Sequence, residues 1–90
     1  MNIKELKRKF RAKLRRMSDK EMEEFDNWFV EIEDSLLDFY GIREMLMDNE
    51  ERKRFLDYLY MYAIAFNKND FDERYDQQIF GDALIYAKRK

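Results

Sequence analysis

The sequence predicts an all-α fold, a compact bundle of four main helices forming a single domain over residues 1–90. Three observations carry that prediction. Ninety residues contain no proline and only two glycines, so the turn chemistry of a β protein or a flexible linker is missing. Apolar residues recur at spacings of three and four, and strict apolar/polar alternation is absent. Aromatic residues make up 17% of the chain, which supplies the large side chains that disordered segments lack. A chain of this size buries roughly 60–65% of the surface its unfolded form exposes, so the core is thin.

The first helix is expected over about residues 2–17. Ile3, Leu6, Phe10, Leu14 and Met17 fall on one narrow stripe. Ser18 followed by Glu21 reads as a capping box, in which the serine hydroxyl and the glutamate carboxylate satisfy each other's backbone donors. The second helix follows over about 19–40. Met22, Phe25, Phe29, Ile32, Leu36 and Phe39 form its apolar stripe, with Trp28 at the edge. Gly41 suits the left-handed position that ends a helix.

A short helix is expected at 42–47 and a third main helix over about 50–66. The latter is apolar on nearly every side: Phe55, Leu59, Tyr62 and Phe66 form one row, Tyr58, Met61 and Ala65 another, Tyr60 and Ile64 a third. Such a helix is buried or has a partner on its second face. Asn67–Asp70 is a polar break, with Asn69 or Asp70 as a cap. The last helix is expected over about 70–88, with Phe71, Tyr75, Ile79, Ala83 and Tyr86 on one face and a kink at Gly81. Lys88, Arg89 and Lys90 suit its negative dipole end.

Charge is segregated beneath a net charge of −2. Residues 1–16 hold eight basic side chains and one acidic; residues 17–51 hold two basic and thirteen acidic. The sequence contains no cysteine, so it has no disulfide framework and no thiolate metal site, and the expected compartment is the reducing cytoplasm. The basic start is not followed by the apolar run of a secretory signal. The longest uncharged run, Tyr58–Asn67, is about half of what a spanning helix needs.

Residue types exclude most chemistry. There is no histidine or threonine, and the serines are Ser18, claimed by the cap, and Ser35, with no base beside it. A Ser–His or Cys–His nucleophilic site cannot be built, and two isolated glycines cannot form a phosphate-cradling loop. Asp70, Asp72 and Glu73 faintly resemble a calcium loop but lack its turn glycine and ligand spacing. Glu31, Glu33 and Asp34 are a second carboxylate group of the same kind. The expectation is no enzyme, no metal and no cofactor.

Lys4, Lys7, Arg8, Arg11 and Arg15 gather on one side of the first helix. Two readings compete for them. In one, the first two helices pack as an antiparallel hairpin and the basic flank is neutralised by the acidic flank of the second helix. In the other, the row tracks phosphates and gains affinity from released counterions. Contact with an anionic membrane surface ranks below both, because the apolar stripe cannot serve bundle and bilayer together.

Glu23, Glu24, Glu31, Asp34 and Asp38 form an acidic face on the second helix, which reads as a solvated surface or as a docking surface for a protein with a basic groove. Trp28, Tyr58 and Tyr60 are the aromatic interface candidates, a self-dimer included. The leading expectation is a non-enzymatic interaction protein, an inhibitor or adaptor acting through acidic and aromatic helix faces. Its size and charge density are typical of small accessory proteins of phages and mobile elements, anti-defence inhibitors of nucleic-acid-handling enzymes among them. The alternative is a small nucleic-acid-binding regulator that uses the basic first helix.

Overall fold

The computed structural model describes residues 2–89. It is all-helical: α1 Ile3–Leu14, α2 Asp19–Asp38, α3 Ile42–Met45, α4 Asn49–Ala65 and α5 Gln77–Lys88, with a 3₁₀ turn at Phe39–Gly41 between α2 and α3. Among the described residues there is no strand, and no helix is long and apolar enough to cross a membrane.

The starts of α1, α2 and α4 each have a local cause. The Asn2 side chain accepts from the Glu5 N–H at 2.8 Å. The Ser18–Glu21 box is complete in both directions. The Asp48 side chain accepts from the Glu50 N–H at 2.7 Å. Such caps stabilise by about 1 kcal/mol each. α1 tightens rather than continuing to residue 17: the Arg16 and Met17 N–H groups reach back three residues, to Lys13 and Leu14. This shortening frees Ser18 to open α2. α2 ends through two consecutive left-handed residues, Tyr40 (φ 53°) and Gly41 (φ 68°).

α4 is the central post. α5 and α1 pack along it, and α2 leans on it more lightly while holding α3. Its all-round apolarity is thereby used: Phe55, Tyr58, Leu59, Met61, Ala63 and Ile64 are all buried. α5 is anchored by Phe80, whose ring meets Phe39 at 5.2 Å, Tyr40 at 5.7 Å, Phe71 at 5.8 Å and Phe55 at 6.0 Å. Aromatic pairs of this kind are worth about 0.5–1.5 kcal/mol beyond the area they bury.

The expected α1–α2 hairpin does not form as such. The two helices share little direct contact, and Tyr60 from α4 stands between them. Its ring meets Phe10 of α1 at 6.1 Å and Phe25 and Phe29 of α2 at 5.9 and 5.3 Å. Its hydroxyl donates to Asp26 at 2.5 Å. Burial and this carboxylate both hold the phenol in its protonated form. Sequence neighbours therefore meet through a third element.

The last helix begins at Gln77, not near residue 70. Asn67 takes φ 53° and closes α4 with a Schellman motif, the Lys68 N–H bonding to Ala63 O at 2.8 Å and the Asn67 N–H to Ile64 O at 3.3 Å. The Asp76 carboxylate then accepts from the Asp72 N–H at 2.5 Å and pairs with Lys68 at 3.2 Å. The Asp72 carboxylate accepts from the Arg74 N–H at 2.9 Å, which lowers its pKa. The Asp72 carboxylate thereby takes up the Arg74 N–H, a backbone donor that a helix starting at residue 70 would turn back on itself. Phe71 leaves the expected stripe to join the aromatic core, and Tyr75 is 76% exposed.

Gly81 neither breaks nor kinks α5, which runs through it unbroken. Its position has ordinary helical backbone, and a Cβ added there meets nothing within 4 Å. Phe80 and Ala83 on either side are buried and hold the helix on course. Gly81→Ala should therefore stabilise the protein by about 0.5–1 kcal/mol in urea unfolding, through the lower entropy of the unfolded chain and better helix propensity. An unchanged or lowered midpoint would show that the backbone there needs glycine.

Candidate interaction surfaces

The cations outside α1 are mostly held inside the fold. Arg43 pairs with Asp38 at 3.0 Å and Asp34 at 3.6 Å. Arg52 donates to the carbonyls of Leu46 and Arg43, closing the end of α3. Arg54 donates to Ala87 O at 2.8 Å and so caps α5. Lys68 pairs with Asp76, and Lys88 reaches Glu51 and the Met45 carbonyl.

The cations of α1 are not held in this way. Lys4, Arg8, Arg11 and Arg15 are exposed and spaced by four, three and four residues. They form an outward ribbon about 16 Å long at 1.5 Å per residue. Among the described residues their one ion pair is Arg8–Glu5, on the same helix and 3.9 Å apart. Lys7 sits beside the ribbon, partly covered, with its ammonium 6.0 Å from the Tyr86 ring. No acidic side chain of α2 comes within ion-pair distance of α1 among the described residues; the contact between the two flanks is at Lys13, which lines a cleft with Glu21 and Glu24 and whose charge adds to the Ser18 hydrogen bonds that lower the Glu21 pKa, while the ribbon itself has no partner on α2.

Lys9, Lys13 and Arg16 lie on the flank of α1 that turns toward the end of α4. With Arg8 they line a cleft of about 370 Å³ whose other wall is Ala65 and Phe66. Phe66, expected in an apolar row of α4, is 38% exposed because the helix ends there, and Lys9 stands 5.4 Å from its ring.

The acidic candidates divide. Glu23, Glu24, Glu31, Asp34 and Asp38 are spread along about 22 Å of α2 at 1.5 Å per residue, on its solvent side. Asp34 and Asp38 are engaged by Arg43, while Glu23, Glu24 and Glu31 have no ion pair among the described residues. The aromatic candidates lie largely inward. Tyr58 is 3% exposed and packs on Tyr86 at 5.7 Å, and its burial pushes the hydroxyl pKa up to about 12. Tyr60 is the wedge described above. Trp28 is half-buried, edge-on to Phe25 at 5.1 Å and stacked on Phe71 at 6.3 Å. The most exposed tyrosine is Tyr75, in the loop where the spacing predicts helix.

A groove of about 660 Å³ lies between α2 and α4, which pack only lightly on each other. Val30, 67% exposed, and Leu56 give it an apolar strip; Asp26 and Glu33 stand along its α2 wall, and Arg52, Lys53 and Asp57 along its α4 wall. Burial, and then the charges of Asp34 and Asp57, raise the Glu33 pKa. Among the described residues no three carboxylates gather to hold a metal ion. Comparison with protein-family models, curated proteins and solved structures finds no significant match for this chain.

The raised Glu33 pKa has a stability consequence. The native state holds this proton more tightly than the unfolded chain, so the contribution is present at low pH and is lost as pH rises through the native pKa. At neutral pH the ionised Glu33 is a liability, and Glu33→Gln should raise the melting temperature at pH 7. That gain should shrink to nothing below about pH 4, where the wild-type carboxyl is protonated in both states. A gain independent of pH would assign the effect to packing instead.

Proposed function

We propose that this protein is a non-enzymatic nucleic-acid-binding module that contacts the phosphate backbone through the basic ribbon of α1. One observation carries the reading. The chain has internal partners for most of its cations beyond α1, and for the ribbon of Lys4, Arg8, Arg11 and Arg15 it has almost none. Four like charges on one stripe, of which only Arg8 has an ion pair among the described residues, repel one another and do not favour folding. A polyanion removes that repulsion and releases its own counterions. No helix-turn-helix pattern accompanies the ribbon, so the contact is with backbone rather than base edges.

A second reading rests on α2. Glu23, Glu24 and Glu31 have no ion pair among the described residues, and Val30 is an exposed apolar contact on the same helix. This is the surface by which the protein would dock into a basic groove of another protein, as an inhibitor or adaptor. The two surfaces lie on different helices and are separable by mutation.

Binding to a labelled oligonucleotide should weaken with salt at a log–log slope of about −3 to −4, the value for four phosphate contacts. R8E/R11E/R15E should abolish binding at low salt, whereas E23R/E24R/E31R should leave it intact or strengthen it. Fluorescence anisotropy at several salt concentrations reads both. Absence of wild-type binding at low salt would transfer the functional role to α2, and the E23R/E24R/E31R protein would then be the one to lose a protein partner.

A further inference from the structure

The cleft between α1 and the end of α4 has a composition that a purely structural crevice does not need. One wall carries Arg8, Lys9, Lys13 and Arg16; the other is Ala65 and the exposed ring of Phe66. Among the described residues no carboxylate lines it. Its volume of about 370 Å³ lies in the ~300–1,000 Å³ range of sites that take small molecules or parts of them.

Phe66 is held as a platform. Tyr62, one turn earlier, backs its ring at 4.6 Å and 37°. The Schellman motif fixes the backbone on its other side, because Asn67 and Lys68 bond back to Ile64 and Ala63. Lys9 lies over the ring at 5.4 Å, a weak contact at an exposed site that a stacking ligand can displace.

We propose that this cleft receives an unpaired base of a single-stranded nucleic acid, stacked on Phe66 while Arg8, Lys13 and Arg16 hold the flanking phosphates. The inference rests on the phosphate-contact reading above and adds a strand preference to it. Arg8 belongs to both the ribbon and the cleft, so a strand following the ribbon passes the cleft mouth. Stacking tolerates any base because every base has a π-face, which makes the preference one of strandedness rather than sequence. In a duplex the bases are stacked on one another and cannot reach Phe66 without being flipped out.

The test uses four labelled 15-mers on the full chain at low salt: oligo-dT, oligo-U, a duplex, and an abasic strand carrying the same phosphates without bases. The expected result is tighter binding of oligo-dT and oligo-U than of the abasic strand. Phe66→Ala and Phe66→Leu should each weaken the two base-bearing strands by about 5- to 100-fold and leave the abasic strand and the duplex unchanged. Phe66→Trp should retain or tighten single-strand binding. Leucine keeps an apolar side chain at the cap, so a loss common to both variants reports the ring and not the fold. Equal binding of base-bearing and abasic strands, or no effect of Phe66→Leu, overturns the stacking proposal while the ribbon reading stands. Failure of the wild-type protein to bind any of the four overturns both.

Discussion

The structure depends on one constraint: the second half of α4, Tyr58 to Ala65, must be covered on all sides. Its rows of aromatic and aliphatic residues leave no exposed position there, so α1, α2 and α5 are all recruited to the helix. Tyr60 shows how this works locally. Its ring bridges Phe10 of α1 and Phe25 and Phe29 of α2, and its hydroxyl finishes on Asp26 at the surface. A tyrosine suits that place because the ring is apolar and the tip can stay wet. The remainder of the core follows from the same demand, with Phe80 of α5 closing the far side against Phe39, Phe55 and Phe71.

That arrangement decides where the charges go. Had α1 and α2 packed directly on each other, the basic and acidic flanks would have lain side by side. With α4 between them, each helix turns its charged face outward. The Debye length at 0.1 M salt is about 10 Å, whereas the molecule is 36 Å in its longest dimension. An approaching polyanion thus meets the ribbon of α1 as a local positive surface, despite the net charge of −2.

Much of this is legible in the sequence. The stripes of α1 and α2, the Ser18–Glu21 box and the left-handed Gly41 are local patterns, and local causes produce them. The all-round apolarity of α4 announces a central helix. Which partners it takes is not legible, because a short connection between α1 and α2 suggests direct packing and carries no information about a wedge supplied from α4. The loop after α4 escapes for a different reason. Phe71 and Tyr75 have helical spacing, but Asp72, Asp76 and Lys68 compete for the backbone in a way that only the folded geometry reveals. The kink expected at Gly81 gives too much weight to one residue against the buried neighbours that hold it. Of the candidate surfaces, the basic and acidic ribbons can be drawn on a helical wheel. The cleft at Phe66 cannot, since it joins residues from distant parts of the chain.

If the ribbon of α1 is kept for a partner, it is idle in the folded molecule alone. The most direct measurement is urea unfolding of wild type and R8Q/R11Q/R15Q at low salt, without any ligand. Glutamine keeps much of the length and helix propensity of the side chains while removing the charge. Unchanged or higher stability of the variant is the predicted result, because mutual repulsion along the stripe is relieved and almost no internal pairing is lost. A loss of more than about 1 kcal/mol, beyond what exposed pairs contribute, would mean that the fold itself uses these charges, and would contradict the assignment of the ribbon to an external polyanion.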